Sequence, residues 1–235
     1  MSSRDWDVVP MIVEVIPTLA ILAGALQAMG YAIYIWQALR AQLIPNATSW
    51  LMFAYGTALL TILEADLDAP WQLLVLPAVC SLCAILVSVV CRLRQGRWGL
   101  PEQRLDWVAF GADLTLTGVY VAGILLAGSG LVDAAFERPL AVAVLVATTA
   151  STVVAFTPLL RSVWRDPGSE HWLPWTVWSA AYATLFLVTL LAGPEASPGL
   201  YLYPTVCLLT HGLVALCALR EAPAPAEASK QRRPA

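Results

Sequence analysis

The chain has 235 residues, of which 59% are apolar and only 12% charged, with a formal net charge of -3 and a mean hydropathy of +0.72. Soluble domains carry roughly 25% charged residues, so a water-soluble fold is excluded and no nucleic-acid partner is expected. The apolar runs are continuous and lack a two-residue alternation, which predicts membrane-spanning α-helices rather than a β-barrel, with the lipid bilayer as the first partner.

In chain order, Met1–Pro10 carries Asp5 and Asp7 instead of a basic leader, and the apolar stretch that follows is too long for a signal-peptide core. No cleaved signal peptide is expected. Stretches able to cross a hydrocarbon core of about 30 Å fall at Val15–Leu39, Ala47–Leu63, Trp71–Cys91, Leu105–Ala127, Leu140–Leu160, Trp172–Ala192 and Leu200–Leu219. The first holds Pro17, Gln27, Tyr31 and Tyr34, and the second Phe53, Tyr55, Thr57 and Thr61. Cys80 and Cys83 in the third read as small packing residues, since nothing completes a metal knuckle beside them. Asp113 in the fourth lies about 9 Å inside Trp107 at 1.5 Å per residue. Gly123, Gly128 and Gly130 read as packing and turn residues at that helix's end. Pro158 interrupts the fifth, Trp178, Tyr182, Thr184 and Thr189 lie in the sixth, and His211 in the seventh sits about 13 Å from the boundary at Arg220. The tail from Glu221 to Ala235, rich in proline, alanine and glutamate, is expected to be disordered.

Arg40, Arg92, Arg94, Arg97, Arg104, Arg161, Arg165, Arg220, Lys230, Arg232 and Arg233 fall on one side of these spans, and only Arg4 and Arg138 on the other. Basic residues favour the cytoplasmic side, which places the N-terminus outside and the C-terminus inside. A degenerate duplication supports the odd count. Arg40, Trp50 and Phe53 recur at the same spacings as Arg165, Trp175 and Trp178; after a two-residue slip Ala54-Tyr55-Gly56-Thr57 aligns with Ala181-Tyr182-Ala183-Thr184, and Pro77-Ala78-Val79-Cys80 with Pro204-Thr205-Val206-Cys207. Self-similarity of this kind is a statement about architecture. Two parallel copies of a three-helix unit need one extra crossing between them. The expected fold is therefore all-α, with seven spans in a 3+1+3 arrangement: residues 1–95 as the first triple-helix repeat, 96–130 as the linker helix, 131–220 as the second repeat and 221–235 as a cytoplasmic tail.

The residues around the end of each repeat's first helix are Trp36-Gln37, Arg40, Pro45-Asn46 and Ser49-Trp50 in one copy, and Pro158-Leu159, Arg161, Trp164, Pro167, Glu170 and Pro174-Trp175 in the other. In these and in its topology the chain resembles the PQ-loop superfamily, which includes the SWEET sugar transporters, and it looks most like the uncharacterised bacterial members. The naming dipeptide stands in neither copy: a tryptophan precedes Gln37, and leucine follows Pro158. The mid-membrane asparagines of sugar-transporting relatives are also missing, since Asn46, in a loop, is the only asparagine. The resemblance implies a bacterial inner-membrane protein that moves a small solute by alternating access between two triple-helix bundles, with Pro158, Gln37, Trp50 and Trp175 at hinge or gate positions.

An ionisable group inside a bilayer costs several kcal/mol or more to bury charged, which singles out His211 and Asp113. The candidate substrate site is His211, Trp178 and Phe53, joined by Gln27, Tyr31, Tyr55 and Tyr182. A cavity lined this way suits a small, uncharged or zwitterionic polar molecule and not a polyanion, because no arginine or lysine lies at membrane depth. Gln27, Tyr31, Tyr34, Tyr55, Thr57, Thr61, Tyr182, Thr184 and Thr189 form a polar set of the kind that commonly bonds between helices. Trp36, Trp50, Trp98, Trp107, Trp164, Trp172 and Trp175 map near the membrane surface and read as interfacial anchors. A retinal protein would need a lysine in the last span, whereas the sole lysine is Lys230. No phosphate-cradling loop, HExxH pair or nucleophile elbow is present, so no enzyme activity, catalytic residue, metal or cofactor is expected. The alternative function is a non-transporting partner or sensor that uses the loops Arg40–Ser49 and Arg161–Trp172. Both repeats in one chain could suffice alone, and homo-oligomerisation stays open.

Overall fold

A computed structural model describes residues 5–96, 100, 101, 103–192 and 198–220. Its regular structure is helical throughout: α1 (Asp5–Leu39), α2 (Ala47–Asp66), α3 (Trp71–Gln95), α4 (Arg104–Gly128), α5 (Glu137–Ala155), α6 (Thr157–Arg165), α7 (Trp172–Leu191) and α8 (Pro198–Ala218), with short 3-10 turns at Ala134–Phe136 and Pro167–Ser169. Among the described residues, six segments are long and apolar enough to cross a membrane: α1 from Glu14, α3, α4 from Asp106, the combined rod Glu137–Arg165, α7, and α8 from Leu200. Side chains such as Leu82, Leu86, Val108, Leu125, Leu209 and Leu216 are exposed on their outer faces, as in a multi-pass membrane protein whose exterior is solvated by lipid. The expected tail and Trp98 lie outside the described residues.

The expected second span, α2, is not among those six. Its sequence is diluted by Thr48, Ser49, Tyr55, Gly56, Thr57 and Thr61, and the helix is packed by α3, α4, α5 and α6. Enclosed on those sides, it presents little surface to lipid and does not need the uniform apolarity of its neighbours.

Local signals set the ends. Asn46 caps α2 by accepting a hydrogen bond from the Ser49 amide at 3.0 Å, which satisfies one of the helix's orphan donors. α3 ends at Gly96 in the left-handed region, φ 71°, the usual glycine stop. Gly130, φ 74°, turns the chain after α4, and a Cβ on Gly123 would lie 2.1 Å from Leu140, so that glycine permits the close approach of α4 and α5. Prolines act differently by position. α3 and α8 run unbroken through Pro77 and Pro204. The fifth span instead breaks at Phe156, two residues before Pro158, where the missing proline N–H interrupts the ladder.

The two halves are assembled alike. α3 lies between α1 and α2, and α8 between the α5–α6 rod and α7, while across the halves α1 packs on α7 and α2 on α5. α4 lies outside, mainly against α5. In each half an arginine after or near the end of the third helix caps the end of the first: Arg94 donates to the Leu39 carbonyl, and Arg220 donates to the carbonyls of Val163 at 3.2 Å and Trp164 at 3.0 Å. A cation there also complements the negative end of the helix dipole. The loops at this arginine-rich end are joined by Ile44, whose amide donates to the Ser169 carbonyl at 3.4 Å.

Candidate functional site

A column of buried aromatic and polar side chains fills the seam between the halves, chiefly between α1 and α7. It starts in the turn before α7, where Glu170 is almost wholly buried. Tyr34 donates its hydroxyl hydrogen to Glu170 Oε1 at 2.9 Å, the Trp175 indole N–H donates to Oε2 at 3.0 Å, and the Trp50 indole N–H donates to the Tyr34 oxygen at 3.0 Å. Trp175 thus reaches this carboxyl group directly and Trp50 reaches it through Tyr34, from the two positions matched in the expected repeat. Burial pushes the Glu170 carboxyl up to about 8, against which the Trp175 and Tyr34 bonds act weakly in the other direction, because removing a carboxylate from water disfavours its charged form.

Trp50 and Trp175 are therefore not interfacial anchors: both indoles are buried with their N–H groups consumed inside the protein. Trp36, Trp107, Trp164 and Trp172 are exposed, and two carry arginines on their faces, Arg40 over Trp36 at 3.9 Å and Arg220 over Trp164 at 4.1 Å, a cation–π arrangement.

One turn deeper, Trp178 donates its N–H to the backbone carbonyl of Gln27 at 3.1 Å. The indole reaches it only because residue 30 is glycine: a Cβ there would sit 2.4 Å from Trp178 Nε1. Around it, Tyr31 packs at a centroid distance of 4.8 Å, Phe53 packs on Phe156 at 4.5 Å, and the His211 ring lies 5.0 Å from Phe156, 5.4 Å from Trp175 and 5.9 Å from Trp178. The Nδ1–H of His211 donates to the Cys207 carbonyl at 2.7 Å, which fixes the ring and leaves Nε2 as an acceptor in the neutral form.

The inner end of the column is polar. Tyr182 lies 4.8 Å from the His211 ring, shares a hydrogen bond of 3.1 Å with the Tyr203 hydroxyl and donates to the Cys80 sulfur at 3.6 Å, while the Tyr31 hydroxyl is 3.2 Å from the same sulfur. Cys80 is thus a hydrogen-bonding centre and not merely a small packing residue. Beside it stands Gln27, 0% exposed, whose Oε1 and Nε2 make no well-formed hydrogen bond. The amide makes only a marginal hydrogen-bonding contact with the Cys80 thiol, which falls short of a well-formed bond. Leaving buried polar atoms unpaired costs about 1–3 kcal/mol per group, and such a group calls for a reason. Neither a protein-family model, nor a curated protein, nor a solved structure matches this chain.

Of the residues singled out in sequence, the column brings together His211, Trp178, Phe53, Gln27, Tyr31, Tyr182, Trp50 and Trp175. Tyr55 stands apart, its hydroxyl 2.5 Å from Thr117 and its ring against Phe110 on α4. Asp113 is also outside the column; it is buried between α4 and α5 with Oδ1 unpartnered, close to Ser151. Gln37 is buried in a helix that runs straight on to Leu39, without a break like that near Pro158. Of the polar set expected to bond between helices, Tyr31, Tyr55 and Tyr182 do so, whereas Thr57, Thr61, Thr184 and Thr189 donate back to the carbonyls of Phe53, Thr57, Ala180 and Leu185, each four residues earlier. In an apolar surrounding the nearest acceptor is the helix's own backbone. Among the described residues no three His, Cys, Asp or Glu side chains come together as a metal site. Tyr34, Phe156 and Tyr203 were not singled out in sequence as site residues. Glu170 had one available signal, as an acid five residues before a tryptophan that is duplicated in the other half.

Proposed function

We propose that the protein is a seven-span carrier for a small, uncharged or zwitterionic polar solute, working by alternating access between two triple-helix bundles. The observation that carries this reading is the Gln27 side chain, buried at the seam of the halves with neither donor nor acceptor in a well-formed hydrogen bond. A polar solute seated there supplies the missing partners, with the Cys80 thiol and the tyrosine hydroxyls nearby. The identical helix adjacency and the paired arginine caps of the two halves support the duplication. α2, at about 30 Å for 20 residues, is long enough to complete the seventh crossing. Transporter sites recur near the midplane at repeat interfaces, beside broken helices, and the break at Phe156 supplies one. The Glu170, Tyr34, Trp50 and Trp175 cluster then closes the cytoplasmic end of the pathway, and its opening separates α1 from α7.

The partner or sensor alternative gains no comparable support. Glu170, which would be its contact residue, points inward and is consumed by Tyr34 and Trp175. In proteoliposomes the wild type should show saturable uptake or counterflow of a member of a neutral and zwitterionic metabolite panel, and should melt at a higher temperature with that compound, as binding to the folded state requires. The His211→Ala variant should lose the thermal shift. Absence of any saturable flux across the panel would refute the carrier reading.

A further inference from the structure

At the arginine-rich end, away from the aromatic column, three helix ends enclose a cavity of about 290 Å³. Small-molecule sites span roughly 300–1,000 Å³, so this one suits a single small metabolite and not a peptide. α6 contributes Pro158, Arg161, Ser162 and Arg165, with Arg161 and Arg165 one turn apart on the same face. The first turns of α2 and α4 contribute Thr48 and Asp106, and their amide-rich ends add positive potential to the two guanidinium groups.

Several polar atoms there are already committed. The Thr48 hydroxyl donates to the Leu100 carbonyl at 3.2 Å, Arg161 donates to Gln103 Oε1, and Asp166 Oδ1 accepts from the Gly168 amide at 3.0 Å. Asp106 is different. It lines the cavity, is 2% exposed, and has an Oδ1 with no partner at all. A ligand completing this site must therefore donate to a carboxylate while offering negative charge to the guanidiniums. The lining's two arginines and two aspartates cancel, which selects a ligand with separated charges and no net charge over an anion such as phosphate.

We propose that this cavity binds a small zwitterion, its ammonium on Asp106 and its carboxylate on Arg165 and Arg161. The site is distinct from the column. Because α6 begins at the break beside Pro158, the ligand ties the part of the fifth span beyond that break to α2 and α4.

Calorimetric titration of the full-length protein in detergent tests this with glycine, L-serine and L-proline as probes, L-lactate and ethanolamine as half-ligands, and inorganic phosphate. At least one zwitterion should bind saturably, and each half-ligand about tenfold or more weakly, the value of one charge-assisted contact. Asp106→Asn should weaken the zwitterion and ethanolamine but leave lactate unchanged. Arg165→Gln, at an exposed position that does not threaten folding, should weaken the zwitterion and lactate but leave ethanolamine unchanged. Any part of the zwitterion signal that Gln27→Leu removes belongs to the column, whereas the part that Asp106→Asn and Arg165→Gln weaken belongs to this cavity, which separates the site from the carrier reading. Failure of every zwitterion to saturate, affinities unmoved by both variants, or phosphate binding as tightly as the best zwitterion would each overturn the assignment.

Discussion

The two ends of the buried column use polar groups in opposite ways. Around Glu170 each polar atom of the cluster is matched: two indole N–H groups, one hydroxyl and both carboxyl oxygens form a closed set. Seven residues along α1 from Tyr34, about 10 Å deeper at 1.5 Å per residue, the Gln27 amide makes no well-formed bond. A satisfied network rigidifies the structure around it, whereas an unsatisfied one costs stability until something completes it. The first holds the halves together, and in the proposed carrier the second is the place that receives the solute.

The sharpest way to break the satisfied end is Trp175→Ala. The indole is fully buried against Trp50, Trp178, Phe156 and His211, so the cavity alone should cost about 3–5 kcal/mol, with a further loss because Glu170 Oε2 is stranded. Unfolding in detergent should show it, and a cost under about 1 kcal/mol would mean that the cluster does not carry the seam. The pH dependence of the same end is next in size. The folded-state value for Glu170, about 8 against an ordinary 4.5, means that the folded protein keeps a proton that the unfolded chain releases between those pH values. Its contribution is therefore complete below about pH 4.5, declines as pH rises and is gone above about pH 8, at up to about 1.4 kcal/mol per pH unit. Glu170→Gln should flatten melting temperature against pH across that window. Parallel profiles for variant and wild type would show that the carboxyl titrates normally.

How much of this contrast could be read in sequence follows from what each residue type can signal. Continuous apolarity marks the helices, and Pro158 marks the place where one of them breaks, because both act through the backbone alone. α2, legible in sequence as a short span, is less apolar than the other six since enclosure by other helices replaces the lipid that apolar side chains would face. Depth is the harder quantity. Trp36 and Trp50 look equivalent in sequence, yet one lies outside with Arg40 over its ring and the other is buried on Tyr34. A tryptophan suits both places, and when every helix face is apolar no periodicity tells them apart. The burial of Glu170 depends on the fold of the Pro167–Ser169 turn, and that of Gln27 on a partner helix distant in the chain, neither of which leaves a local trace.

The smallest expected change in stability is the most discriminating, and it comes from the unsatisfied end. Gln27→Leu keeps nearly the same volume while removing both orphaned atoms. Where a buried polar group lacks partners, an apolar substitute of similar shape is neutral or stabilising, here by about 1 kcal/mol. If the amide exists to be completed by solute, the variant should melt at or above the wild-type temperature and yet lose uptake and ligand-induced stabilisation. A variant that is less stable by about 1 kcal/mol or more would show that the amide has partners within the fold. Retained uptake would show that it is not part of the site. Trp178 should keep its place in this variant, because its bond is to the Gln27 backbone carbonyl and the space it occupies is opened by Gly30. Any loss of transport is then assignable to the amide itself, since the aromatic wall against which the solute would lie is held by atoms the substitution does not touch.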